Sequence, residues 1–368
     1  MSYMLNRSTP QSDHFRMPGE FEPHTRCWML WPTRPDVWRE QATPARQTFT
    51  QVAHAIAQFE PVTVGANPAD VASARAQLPH YIDVQEIPYN DCWARDNGPT
   101  FVINERNQLA GVDWDFNAWG GLYDDVSRDK QTAGRILQIA NAQKYDAPLI
   151  LEGGSIHVDG QGTLLTTKEC LLNPNRNPHL TQDAIEELLH QYLNIKKIIW
   201  LDLGLIDDET DGHIDNIACF VRPGEIALSW TDDPQHPQYD ISHQAYETVR
   251  SDTDAAGRTL TIHKLYQPDD MFITEQEANG LELIDGTLER PVGNRLAASY
   301  VNYYIANGGI VMPLFGQEKY DTAAQHKLQE LYPHRQVVGV YSREILLGGG
   351  NIHCITQQQP ATEASLPH

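Results

Sequence analysis

From Thr43 onward the chain alternates between stretches with apolar residues on one helical face and short apolar runs bounded by turn residues. Thr43-Pro44 supplies an N-cap and a first helical position, and Phe49, Val52, Ala53 and Ile56 then share one face. The strand PVTV follows, then a helix opened by Asn67-Pro68, the strand YIDVQEIP, the polar loop NDCWARDNGP and the strand TFVIN. A second helix-first unit runs from Asp129 to Ala142, with Ile136, Leu137 and Ile139 apolar, and continues through PLILEGG into the hairpin SIHVDGQGTLLTT. A third carries Ile185, Leu188, Leu189 and Tyr192 on one side of a helix. The strand IIWLDL, the loop IDDETDG and the strands HIDNIACFV and EIALSW complete it. A fourth runs from a helix over 243–250 through TLTIHKLY to SYVNYYIANGGIVMP. The fifth has a helix over 321–331, the strand QVVGVY, the loop SREILLGGG and the strand NIHCIT, and lacks a final strand that the N-terminal TRCWMLWP can supply.

The repetition is of architecture rather than of residues. It predicts five β/α modules closed into a ring, with equivalent loops pointing at a central site. The alternative is an ordinary mixed α/β domain. No low-complexity linker interrupts the chain, so a single domain over 1–368 is expected, with a short disordered tail at about 358–368.

Charge narrows the ligand. With 27 basic and 49 acidic residues the net charge is -22, which argues against nucleic acid and anionic membrane surfaces and suits a small cationic ligand. The five cysteines, Cys27, Cys92, Cys170, Cys219 and Cys354, are odd in number and form no CxxC pair, so neither a disulfide framework nor a structural zinc site is expected. The N-terminus MSYMLNRSTPQSDHFRM has no apolar core of a signal peptide, and no apolar run reaches membrane-spanning length. A cytoplasmic protein is the expectation.

Candidate chemistry sits in the loops that the modules place in equivalent positions. Cys354, in LGGGNIHCIT, is read as a nucleophile: Gly348, Gly349 and Gly350 allow close backbone approach to a ligand, and Asn351 and His353 add polarity. A free cysteine is more often a small buried hydrophobe. Cys92, in its polar loop, is the rival nucleophile, whereas Cys27, Cys170 and Cys219 read as core. His213 and Asp215, in ETDGHID, are expected on one face of a strand, with His213 as general acid and base and Glu209 in the loop before them. Glu152 and His157 lie in LEGGSIH, and Asp96 lies in WARDNGP with Arg95 as a candidate ion-pair partner. Trp93 and Trp119 can flank a planar cation or a polymethylene chain. His, Asp and Cys donors also raise zinc, but without HExxH or a cysteine pair a metal-free thiol mechanism is preferred.

Taken together, WARDNGP, NAWGG, LEGGSIH, DDETDGHID and GGGNIHC resemble the agmatine deiminases of the guanidine-modifying superfamily, and the resemblance extends to the N-terminal MPGEFEPHTRCWMLWP. It implies the pentein fold, an α/β five-bladed ββαβ propeller with pseudo-fivefold symmetry. It implies Cys354 as nucleophile, His213 as catalytic histidine, and Asp96, Glu152 and Asp215 as guanidinium-binding carboxylates. Glu209, Trp93, Trp119 and Gly350 would serve the rest of the substrate pocket. The implied reaction converts agmatine to N-carbamoylputrescine and ammonia through a covalent thiouronium, in polyamine metabolism, with no metal or organic cofactor. Whether copies assemble into a homo-oligomer stays open. Two alternatives remain: an arginine or peptidylarginine deiminase, or a non-catalytic polyamine binder. Free arginine would want a basic partner for its carboxylate, and Arg95 and Arg343 are the nearest basic residues to loops otherwise dominated by acids.

Overall fold

In the computed structural model, which describes residues 8–362, the strands form five sheets. Each contains one ββαβ unit: an antiparallel pair, a helix, and a third strand parallel to the second. In the first, Thr100–Asn104 and Leu109–Asp115 pair antiparallel, and Gln143–Ile150 returns parallel after the helix Thr132–Ile139. The second uses Ile156–Val158, Thr163–Thr167, the helix Gln182–Leu193 and Lys197–Leu201. The third uses Ala218–Arg222, Glu225–Trp230, the helix Tyr239–Arg250 and Thr261–Tyr266. The fourth uses Tyr304–Ile305, Gly309–Leu314, the helix Glu318–Leu331 and Gln336–Tyr341. The fifth joins the two ends of the chain. Gln357–Pro360 pairs antiparallel with His24–Leu30, and after the helix Thr43–Ala57 the strand Val62–Ala66 runs parallel to it. Trp28 seals this closure through its indole N–H, which donates to Gln359 Oε1 at 3.0 Å.

The ring follows from how the blades touch. The helices of the second, third, fourth and fifth blades each pack against the last strand of the blade before. First strands of neighbouring blades lie side by side, Ile156–Val158 beside Ala218–Arg222 and Gln357–Pro360 beside Thr100–Asn104. The apolar helix faces read from the sequence are the buried ones: Phe49, Val52, Ala53 and Ile56 in one helix, Ile185, Leu189 and Tyr192 in another. At about 1.5–3 kcal/mol per buried large apolar side chain, these faces are what fix each helix to two blades at once. Ile139 is the exception, 40% exposed at its helix end.

Five local expectations are corrected. His213 is not on a strand; it caps the helical turn Ile214–Ile217, because Asp208 accepts from the backbone N–H of His213 and from the Asn216 amide and so bends the chain before Ala218. NIHCIT is a turn: the side chain of Asn351 accepts from the N–H of Ile352, and the strand begins only at Gln357. The loop SREILLGGG contains the short helix Arg343–Leu347, and the helix expected at Asn67-Pro68 starts at Val71. The expected tail is shorter at its start, since Gln357–Pro360 is a paired, buried strand; residues 363–368 lie outside the described residues.

Candidate active site

Every junction between the last strand of one blade and the first strand of the next delivers at least one site residue. Asp96 comes from the turn Ala94–Asn97 between the fifth and first blades, and Glu152 from the first-to-second junction. Glu209, His213 and Asp215 come from the second-to-third, Asn302 from the third-to-fourth, and Cys354 from the fourth-to-fifth. Junctions on one end of a ring converge, so residues far apart in sequence meet. Gly154 marks the convergence: a Cβ there would lie 2.6 Å from His213 Nδ1 and 2.9 Å from carboxylate oxygens of both Asp215 and Asp96. Only glycine lets the backbone thread between them.

Cys354 is buried, 6% exposed, and borders a cavity walled by Trp93, Trp119, Glu209 and Gly350. Its Sγ accepts from the Asn302 amide at 3.1 Å and lies 3.5 Å from Asp215 Oδ2. Asn302 also takes the backbone N–H of His353 at 2.9 Å, so one side chain fixes both the nucleophile and its turn. Gly350 lines the same wall, where a Cβ would sit 2.5 Å from the Trp93 ring and 3.1 Å from Cys354 Cβ. Trp93 and Trp119 meet edge to face at 6.4 Å between centroids and both border the cavity.

Trp119 does more than wall the site. Its indole N–H donates to Asp96 Oδ2 at 2.9 Å, while Gly154 N–H donates to Asp96 Oδ1 at 2.8 Å. Aiming it requires left-handed backbone from Ala118 to Gly121, with φ of 56° and 52° at Ala118 and Trp119. A bulky residue held there costs on the order of 1–3 kcal/mol, strain of the kind that concentrates at functional sites. His213 sits between carboxylates, Nδ1 at 3.9 Å from Asp96 and Nε2 at 3.9 Å from Glu152. Glu152 is fully buried and accepts from Arg176 Nε at 2.6 Å through Oε1. Three buried atoms in this cluster have no hydrogen-bond partner: Glu152 Oε2, His213 Nε2 and Asp215 Oδ1.

The electrostatics follow from packing so many acids into a dry volume. Burial, with Asp215 and Asp96 close by, pushes the Cys354 thiol well above its ordinary range, against hydrogen bonds from Asn351 and Asn302. Burial also opposes charge on His213, but Asp96, Glu152, Asp215 and Asp208 outweigh it and raise the imidazole above its usual value. Burial raises Asp96 to about 6, with His213 pulling down and Asp215 and Glu152 pushing up. Asp215 goes the other way: despite burial, His353, His213 and Arg95 hold it below the usual carboxylate range. A raised thiol pKa means a protonated thiol at neutral pH. Inactivation by iodoacetamide is therefore expected to be slow near pH 7 and to climb about tenfold per pH unit without levelling off. A plateau below about pH 8 would show a thiolate already formed in the free protein.

The remaining expected residues divide. Glu209 borders the cavity, but Arg290 grips it through Nε at 3.0 Å and Nη2 at 2.5 Å. Arg95 is not the partner of Asp96; it turns to Glu20 at 3.0 Å. Arg343 lies away from the cavity, on Glu277. The basic residues that do border it are Arg34, paired with Asp36 and Asp91, and Arg290, paired with Glu209. His157 lies below the site, 3.5 Å from Glu20. Cys92 is in the apolar core, as are Cys27, Cys170 and Cys219. Glu20, Arg176, Arg34 and Arg290 do not stand out in the sequence; Asn302 has a signal, as a lone amide in the apolar run SYVNYYI. Glu20, His157 and His353, and likewise Glu152, Cys170 and His213, come close enough to surround a cation. In each group an arginine, Arg95 or Arg176, already supplies the positive charge.

A ring of five ββαβ blades holding a buried thiol, an imidazole and several carboxylates where its junctions meet is the arrangement of the guanidine-modifying enzymes. The chain belongs to the Porphyromonas-type peptidyl-arginine deiminase family, whose model matches residues 16–360. It is 54% identical over 361 residues to the agmatine deiminase of Pseudomonas fluorescens, covering 96% of this chain and 98% of that protein. With the agmatine deiminase of Pseudomonas syringae pv. tomato it shares 52% identity over 361 residues, at 96% and 98% coverage. The solved agmatine deiminase of Enterococcus faecalis superposes with a TM-score of 0.94 at 45% identity, covering 98% of this chain and all of that one.

Proposed function

We propose that the chain is an agmatine deiminase, hydrolysing agmatine to N-carbamoylputrescine and ammonia and so supplying putrescine metabolism. The observation that carries this is the trio of buried, unpartnered atoms on Glu152, His213 and Asp215 beside a thiol. A planar guanidinium offers N–H donors in a fixed fork, which is what the two carboxylate oxygens lack, while His213 Nε2 keeps its proton for the leaving group. In this reading Asp96, Glu152 and Asp215 fix the guanidinium and leave its carbon open to Cys354. The bound cation offsets the negative field of Asp215 and Asp96, so the thiol loses its proton to solvent as substrate binds. The thiolate forms a bond to the guanidinium carbon. His213, held cationic by its carboxylates, gives its proton to the departing amine, and the C–N bond breaks to release ammonia. The neutral imidazole then takes a proton from water, which attacks the thiouronium carbon; the C–S bond breaks to regenerate the thiolate, and the new hydroxyl loses its proton to solvent to leave the urea carbonyl. Trp93, Trp119 and Gly350 wall the tetramethylene chain, and Glu209 faces the outer part of the cavity.

Agmatine is favoured over arginine by the state of the cavity's two arginines. Arg34 and Arg290 are each already held by carboxylates, so a substrate carboxylate would have to displace Asp36, Asp91 or Glu209. One closed ring supports one catalytic domain, and five unpaired cysteines suit a reducing, cytoplasmic setting. Among the described residues no helix is long and apolar enough to cross a membrane.

The test is mass spectrometry of the purified protein with agmatine, arginine or a peptidyl-arginine, without added metal. The expected result is N-carbamoylputrescine with ammonia, and a kcat/KM for arginine lower by about 100-fold or more, the scale on which unmet polar groups discriminate. Faster turnover of arginine would reassign the substrate, and tight agmatine binding without turnover would make the protein a binder.

A further inference from the structure

Beneath the site lies a line of four ionisable groups: Arg95, Glu20, His353 and Asp215, none more than 5% exposed. Arg95 Nη1 donates to Glu20 Oε1 at 3.0 Å. His353 Nε2 lies 2.9 and 3.0 Å from the two oxygens of Glu20, and His353 Nδ1 lies 2.8 Å from Asp215 Oδ2. A histidine nitrogen facing a carboxylate at such distances carries a hydrogen, and here both nitrogens do so. His353 is then an imidazolium, and the line alternates in sign: guanidinium, carboxylate, imidazolium, carboxylate. The alternation is what makes four buried charges tolerable together.

We infer that Glu20 is a positioning residue for the reaction: it holds His353 cationic, and His353 in turn holds Asp215 ionised and oriented beside Cys354. This rests on the reading of Asp215 as a guanidinium ligand. Asp215 Oδ2 is taken by His353, which leaves Oδ1, the unpartnered oxygen, for the substrate. Three directions of shift agree with the geometry. Arg95, His353 and His157 hold Glu20 well below the carboxylate range against its burial. His353 is raised, since Glu20 and Asp215 outweigh burial and Arg95. Asp215 is lowered, His353 first among the opposing causes.

The other groups facing this line do not replace Glu20. His157 Nδ1 accepts from the N–H of Phe220 at 3.2 Å, so only its Nε2 turns to Glu20, at 3.5 Å. His213, Asp96, Glu152 and the Cys354 thiol face Asp215 from the substrate side. Arg95 has a second task, its Nε meeting His353 O at 3.4 Å and its backbone N–H donating to Cys354 O at 3.2 Å. The same arginine thereby braces the nucleophile's turn.

Glu20→Gln keeps the shape and removes the charge. His353 is then expected to become neutral and Asp215 to protonate at higher pH. Asp96, at about 6, sets the upper part of the acid limb of kcat/KM for agmatine; the lower part, where Asp215 takes its proton, should move up by about one pH unit, and KM at that acid end should rise about tenfold. Glu20→Asp, which restores the charge, should return the limb toward its original position. A loss of activity equal at all pH values, tracking a lowered Tm, would mean that Glu20 only ties down the N-terminal segment and would overturn the inference. Neutron diffraction from the unsubstituted protein gives a readout independent of turnover and of any variant's folding. Deuterium on both nitrogens of His353 is expected, and deuterium on only one sinks the proposal whatever the substrate proves to be.

Discussion

Replacing Cys354 by serine is expected to abolish turnover, by about 10⁴-fold or more, while leaving the fold and agmatine binding in place. That loss is ~5.4 kcal/mol of transition-state stabilisation, and nucleophiles that act as part of a unit commonly exceed it when removed. The substitution is a mild one for the structure. Serine is slightly smaller, and its hydroxyl can keep the contacts that Sγ makes with Asn302 and Asp215. What it cannot supply is a thiolate, since no nearby group depresses an alcohol far enough. Isothermal titration with agmatine should therefore still report binding. Acid-quenched wild-type protein should show a covalent mass increment on Cys354 that the variant lacks. Turnover retained in the variant would remove Cys354 from the mechanism and return attention to water or to another nucleophile.

The architecture was legible because periodicity reports on burial, and burial is what the ring repeats. In four of the five modules the helix also covers the last strand of the blade before, so its apolar face is broad and easily read. The closing strand was legible for the same reason, as TRCWML is nearly continuous in its buried positions. The junctions were not. HIDNIACFV and NIHCIT alternate as strands do, yet both begin in turns held by single side chains, Asp208 and Asn351. Period-two alternation over so few residues cannot outvote a local hydrogen bond from an Asx side chain. His213 and Asp215 stand near each other, but not for the reason that alternation suggests. A helical turn rather than a strand face brings them there, beside Gly154.

The site itself was half legible. The residues proposed to touch the reacting atoms lie in glycine-flanked acidic loops, an unusual enough setting to single out Cys354, His213, Glu152 and Asp96. Residues that hold those residues have no such mark. Glu20, Arg176 and Asn302 each reach across the ring to partners 24 to 333 positions away. Such pairings join different junctions and blades, and the pairing of Glu20 with His353 exists only once the two ends of the chain meet. The mouth of the cavity changed most. Its charge looked acidic from the loops alone, but Arg34, between Asp36 and Asp91, and Arg290, on Glu209, offset part of it. Selectivity for a dication then rests on the cost of breaking those pairs rather than on net charge.

Replacing His213 by asparagine is expected to lower kcat by about 10²- to 10⁴-fold, the usual range for a general acid and base. The pH dependence distinguishes this role from simple packing. The imidazole's pKa is raised, so it keeps its proton to higher pH than a free imidazole and loses it as pH climbs past that raised value. Donation to the departing amine requires the cationic form. The kcat profile of the unsubstituted protein should therefore fall on the alkaline side, and the variant should lose that fall. The same substitution removes a cation from among Asp96, Glu152, Asp215 and Asp208. Asp96, already at about 6 and lowered chiefly by His213, should then protonate at still higher pH. Agmatine binding to the variant should weaken as pH drops from about 8 to 6, more steeply than in the unsubstituted protein. Unchanged alkaline behaviour in the variant would show that another group handles the proton, with His213 confined to balancing the charge of its neighbours.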